Sequence, residues 1–242
     1  KQILNDAKIL LKRQLGADNA TYNQNRYTTL QNKTSSILED YVTLLFPFRK
    51  EKSVAQFYTQ LLMVKDADIK TTYVTLLASN NETIPNNLLN ELAIDVQSRV
   101  LLYNKLKDVN KLQLFPSTYK TQKHIAEALL FQNISYEKDK IQLQYLCNKT
   151  LDYEGEQVSA YFFKKRNSQD YDKNYSLHML VFEKGKGIQT NLVYKNRGMR
   201  IEDTDTDDDT VRYVTEKFLL KKHKRAVIYR PNGYGGYGYH GF

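Results

Sequence analysis

The sequence predicts an α+β fold in which N-terminal α-helical hairpin repeats are followed by an antiparallel β-sheet domain. Three observations lead there. Up to about residue 134, apolar side chains recur at helical spacing, and near Ser135 the period drops from 3.6 to 2. With 242 residues, of which 41% are hydrophobic, the chain has enough apolar surface to bury a core.

The helical half is anchored on residues 69 to 106. Ile69, Tyr73, Leu76 and Leu77 form one stripe, and Val96, Val100, Leu101 and Tyr103 form another, joined through an Asn-rich stretch carrying Pro85. Leu77 and Leu101 are expected core positions. Upstream, Ile3, Leu4, Ala7, Leu10, Leu11 and Leu15 make a first helix that Gly16 is placed to end, and 17–33 reads as a loop or weak helix. Ser35 or Ser36 is the expected cap of a second helix through Ile37, Tyr41, Val42, Leu44 and Leu45, closed by Pro47. A third helix is predicted after Ser53, and Asp66 or Asp68 caps a fourth. Pro85 suits the first turn before Leu88, Leu89, Leu92 and Ala93, and Pro116 opens a last helix through Ile125, Ala126, Leu129, Leu130 and Phe131.

The pentapeptide Tyr-Val-Thr-Leu-Leu stands at Tyr41–Leu45 and again at Tyr73–Leu77, each with an isoleucine four residues upstream. That spacing suits a helical-hairpin unit. Leu-Phe-Pro is also repeated, at Leu45–Pro47 and Leu114–Pro116.

In the second half, Ile141, Leu143, Tyr145 and Cys147 alternate with their neighbours, and Glu154-Gly155 or Gly155-Glu156 supplies a turn before Val158–Phe163. Further strands are expected at Tyr175–Glu183, Ile188–Tyr194, Val211–Leu219 and Ala226–Tyr229. The predicted organisation is a helical domain at 1–134, a β domain at 135–230 and a Gly/Tyr-rich tail at 231–242.

The helical half, with Leu114-Phe115-Pro116 leading into Ile125-Ala126-Glu127 and then Val158-Ser-Ala-Tyr161-Phe162-Phe163-Lys164, resembles HEAT-like helical repeats followed by a small β domain. Such an arrangement is similar to the C-terminal part of certain large bacterial envelope or secreted proteins. The uneven helix spacing leaves a compact bundle as the other arrangement. The resemblance brings no active site; it implies a scaffold or binding surface, with other subunits of a larger assembly as partners and an extracytoplasmic location, in the periplasm or at the cell surface.

Composition narrows the chemistry. Thirty-six basic against 27 acidic residues give a formal charge of +9, which favours a polyanion among the conceivable partners. Cys147 is the single cysteine, so neither an internal disulfide nor a thiolate zinc cluster is available, and the four histidines lack helical metal-ligand spacing. No apolar run is long enough for a transmembrane segment. The chain opens on Lys1-Gln2-Ile3 without methionine or a signal pattern, so it is expected to be a processed protein or the end of a longer one. Asn-X-Ser/Thr acceptors at Asn19, Asn32, Asn81, Asn133, Asn148 and Asn174 matter only in a eukaryotic secretory pathway.

Two charged stretches stand out. In Glu202–Asp209, Asp203, Asp205 and Asp207 sit at the alternate positions from which a calcium loop draws carboxylates. Counting from Asp203, however, the sixth position holds Asp208 where that loop needs glycine, and the twelfth holds Val214 where it needs glutamate. A solvated acidic connection between strands is the preferred reading, with no metal. The second stretch combines Lys221, Lys222, Lys224 and Arg225 with Tyr234, Tyr237 and Tyr239 of the tail. Cations that neutralise phosphates beside rings that stack on bases are the elements of a nucleic-acid or polyanion site. Nearby opposite charge weakens that field.

Nucleophilic catalysis needs a Ser or Cys beside a base and an orienting acid. Cys147, His124 and His178 are expected to be structural, and no phosphate loop, dinucleotide fingerprint or metalloprotease helix is present. The sequence therefore points to a non-enzymatic interaction or scaffold module without a cofactor, with a polyanion binder as the alternative.

Overall fold

A computed structural model describes residues 1–19, 24–85, 87–132, 141–167, 175–196, 198–201 and 206–220. The architecture is α+β, with helices preceding an antiparallel sheet, and it divides into two compact units, Lys1–Thr121 and Gln122–Phe242. No helix among the described residues is long and apolar enough to cross a membrane.

The first unit holds α1 (Gln2–Asn19), α2 (Gln24–Leu45), α3 (Lys52–Leu61), α4 (Ala67–Ser79), α5 (Leu88–Ile94) and α6 (Arg99–Asp108). Gly16 does not end α1, which runs on to Asn19. One glycine inside a helix costs only about 1 kcal/mol relative to alanine, less than burying Ala7 and Leu11 returns. Of the two readings of the polar run 17–33, loop or weak helix, the helix holds from Gln24, where α2 starts, so Ser35 lies inside that helix and not at its cap. Its hydroxyl instead donates to Asp66 Oδ2 at 2.6 Å. Asp66 is the cap of α4, its Oδ1 accepting from the amides of Asp68 at 2.9 Å and Ile69 at 3.3 Å. One carboxylate thus starts α4 and ties it to α2.

Pro47 closes α2, as its missing N–H and rigid ring require, in a 3-10 turn at Phe46–Phe48. Helices α4 and α6 end on asparagines in the left-handed region, Asn81 at φ 55° and Asn110 at φ 56°. The following amides reach back to Leu77 O at 2.9 Å and Leu106 O at 2.7 Å, which satisfies carbonyls the helix leaves open. The core gathers Leu11, Leu38, Val42, Phe57, Leu61 and Ile69, with Tyr58 stacked on Tyr73 at 4.6 Å between centroids. Tyr58 donates its hydroxyl to Val42 O at 2.5 Å, and burial pushes that hydroxyl's pKa up.

The Val96 segment enters its helix later than its periodicity predicts. Asp95 accepts from the amides of Gln97 and Ser98 at 3.1 and 3.2 Å, and α6 begins only at Arg99. In the resulting register Leu102 is fully buried and Leu101 is half-buried, which corrects the expectation that Leu101 is a core position. Leu102→Ala should therefore cost about 2–5 kcal/mol and Leu101→Ala about 1 kcal/mol in urea unfolding. Equal costs would contradict this register.

The second unit begins with α7 (Gln122–Gln132). The strands are β1 (Ile141–Tyr153), β2 (Glu156–Asn167), β3 (Tyr175–Glu183), β4 (Tyr194–Lys195) and β5 (Met199–Ile201), followed by α8 (Asp207–Leu220). The order is β1-β2-β3-β4, with β5 also paired to β3, all antiparallel. Glu154 and Gly155, at φ 58° and 81°, make the tight β1–β2 turn.

Three sequence expectations give way here. Val211–Leu219 is helical, not a strand: Val211, Val214 and Phe218 recur at i, i+3 and i+7 and bury together. The start of α8 is fixed by Thr206, whose hydroxyl accepts from the Asp209 amide at 3.1 Å and donates to Asp209 Oδ2 at 2.6 Å. Ile188–Tyr194 pairs only at its end, because Gln189 exchanges two hydrogen bonds with the Gln122 side chain, at 2.7 and 2.9 Å. A bulge between Tyr145 and Cys147 then switches faces within β1: Tyr145 lies opposite Phe163, whereas Cys147 lies opposite Phe162. The expected Ala226–Tyr229 strand lies outside the described residues.

The sheet's two faces follow from the pleat. Val158, Ala160, Phe162, Leu177, Met179 and Val181 pack with Val211, Val214 and Phe218 of α8. The opposite face carries Tyr145, Phe163, His178 and Leu180, with Lys123 of α7 placed 4.5 Å over the Tyr145 ring.

Candidate functional site

On that opposite face β3 presents Ser176, His178 and Leu180 in succession, since alternate residues of a strand share a side. Cross-strand partners share it too. Lys165 of β2 and Arg200 of β5 stand opposite Ser176 from either side, and Lys195 of β4 stands opposite Leu180. His178 is therefore bracketed diagonally by basic residues from both neighbouring strands.

The backbone beside His178 is specially shaped. Between β4 and β5 the side chain of Asn196 takes over the ladder, accepting from the Met179 amide at 2.8 Å and donating to Leu177 O at 3.1 Å. Two residues on, Gly198 at φ 89° comes close against the imidazole. A Cβ there would come within 2.6 Å of His178 Cε1, so only glycine permits the approach.

His178 itself is 8% exposed. Its Nε2 is 3.0 Å from Ser176 Oγ, while Nδ1 is buried without a hydrogen-bond partner among the described residues. Burial first, and then the charges of Lys165 and Lys195, push its pKa down to about 4, so the ring is neutral near pH 7. Lys195 is half-buried, and burial together with Lys165 lowers its pKa as well. This is an electropositive cluster around a neutral donor-acceptor ring.

The other candidates fall elsewhere. Cys147 packs on the α8 side of the sheet, away from His178, and burial raises its thiol pKa, the reverse of what an activated nucleophile needs. His124 lies in α7. Asp207, Asp208 and Asp209 occupy the first turn of α8, where carboxylates complement the helix dipole, so this part of the acidic stretch is a helix start and not a connection between strands. Asp207 is moreover paired with Lys164 at 2.8 Å. Among the described residues no three metal-ligating side chains come together. Asp203 and Asp205, the basic residues Lys221, Lys222, Lys224 and Arg225, and the tail with Tyr234, Tyr237 and Tyr239 lie outside the described residues.

From the sequence His178 is expected to be structural, and no pattern there marks Lys165, Ser176, Lys195 or Arg200 as its neighbours. The single local signal was the Lys164-Lys165 pair in a strand, which places one lysine on each face. Comparison with protein-family models, curated proteins and solved structures finds no match for the chain.

Proposed function

We propose that this protein is a non-enzymatic interaction module, a scaffold element whose first unit offers an apolar helix face to a protein partner. The internal repeat carries the reading. Its two copies lie in α2 and α4, and their central positions are covered alike: Val42 and Val74 are both 0% exposed, and Leu45 and Leu77 both 5%.

The flanking positions differ. Ile69 is fully buried and Leu76 partly so, but the matching Ile37 and Leu44 of α2 are 38% and 59% exposed. Ile37, Tyr41 and Leu44 recur at i, i+4 and i+7, so they form one continuous shoulder of the helix. At Ile37 and Leu44 the apolar surface that α4 covers is left open by α2, while Tyr41 between them packs partly against the core. In stacked helical arrays such an uncovered face is where a further element or a partner packs, which is the sense in which the HEAT-like reading applies. An envelope-associated or secreted bacterial assembly is proposed as the setting, on the resemblance of the helix-to-strand segment alone.

A largely apolar interface survives salt, whereas phosphate contacts do not. With the chain as bait in extracts of its own organism, protein partners should stay bound in stoichiometric amounts through a high-salt wash. Recovery of nucleic acid that elutes with salt, and of no protein, would contradict the proposal.

A further inference from the structure

We infer that the sheet face centred on His178 binds a compact tetrahedral oxyanion, of the phosphate or sulfate class, held by Lys165, Lys195 and Arg200 with His178 as an additional donor. The register supplies the geometry, because Lys165 and Arg200 face each other across Ser176 while Lys195 reaches in from the next pleat. Like charges gathered around one strand repel, and folded proteins ordinarily separate them or pair them with carboxylates. None of these three side chains has a hydrogen-bond or ion-pair partner among the described residues. A bound oxyanion removes that repulsion.

The imidazole argues for the same occupant. Buried polar atoms in folded proteins are nearly always satisfied, yet Nδ1 of His178 is not. When the Ser176 hydroxyl donates to Nε2, the neutral ring carries its proton on Nδ1, which makes the unsatisfied atom a donor. Anion oxygens accept from lysine, arginine and imidazole N–H alike. Gly198, closed on the ring, holds that donor in place. The half-burial of Lys165 and Lys195 favours a compact anionic group over an extended polymer, which would meet the exposed Arg200 first.

The test is NMR of the His178 ring in the full chain, with inorganic phosphate titrated against chloride at constant ionic strength. Phosphate should shift the ring resonances saturably, raise the pKa of His178 from about 4, and raise Tm. The Lys165→Gln/Lys195→Gln double variant should bind phosphate roughly tenfold or more weakly while melting no lower than the wild type without phosphate, since a repulsion is gone. Arg200→Gln, at an exposed position, should weaken binding without touching the interior, and Lys184→Gln in the exposed turn after β3 should leave it unchanged. Equal responses to chloride and phosphate, or a phosphate affinity undiminished in both the double and the Arg200 variants, would overturn the inference. Binding of single-stranded DNA with no response to phosphate would also overturn it.

Discussion

Replacing Phe162 with alanine should lower the stability of the second unit by about 3–5 kcal/mol. Phe162 is 0% exposed in β2, between Cys147 of β1 and Met179 of β3, on the face that packs with α8. Truncation forfeits the transfer free energy of the ring and also leaves a cavity, because neighbours held in a three-strand ladder relax only partly. Against total stabilities of about 5–15 kcal/mol, such a loss is large. Native-state hydrogen exchange of β1, β2 and β3 amides against urea measures it in the unit concerned. A change below about 1 kcal/mol would mean that Phe162 is not at the centre of this core.

Acid should weaken the same unit through His178 by about 3 kcal/mol. The folded ring takes its proton only near pH 4, whereas in the unfolded chain it does so near 6.5. Between those values the unfolded state binds more protons, so this contribution is complete above pH 6.5 and is lost as pH falls towards 4. Carboxylates protonate near the lower end of the window. The difference between wild type and His178→Gln, measured in phosphate-free buffer, therefore isolates the histidine. It should change in the variant's favour on going from pH 7 to pH 4; a constant difference would show that His178 titrates normally.

Local signals served well where one residue type decides the backbone. Pro47 stops α2, Asp66 caps α4 and Glu154-Gly155 turns the hairpin, each for a reason contained in a few residues. They failed where the deciding partner is distant or where two signals compete. Val211, Val214 and Phe218 have helical spacing, but the segment also fits a further strand after an acidic connection, and it is the Thr206–Asp209 capping pair that decides for the helix. The extra residue in β1 has no signature of its own, yet it moves Cys147 to the other face. The start of α2 lies in a polar run without apolar period, where extending a helix already nucleated costs little. The basic cluster was illegible for the most physical reason: Lys165, Ser176, Lys195 and Arg200 belong to four strands and meet only through register.

The Ile37–Leu44 shoulder of α2 is most directly tested by comparing the wild type with an Ile37→Glu/Leu44→Glu variant as bait. Both side chains are exposed, so the fold should change by no more than about 0.5 kcal/mol per site. A partner packing there would have to bury two unpaired carboxylates, at a cost few interfaces bear. Partners that remain on the wild type through a salt wash should be lost from the variant, with circular dichroism and Tm unchanged. Equal retention of the same partners by both baits would contradict the assignment of α2 as the interaction surface.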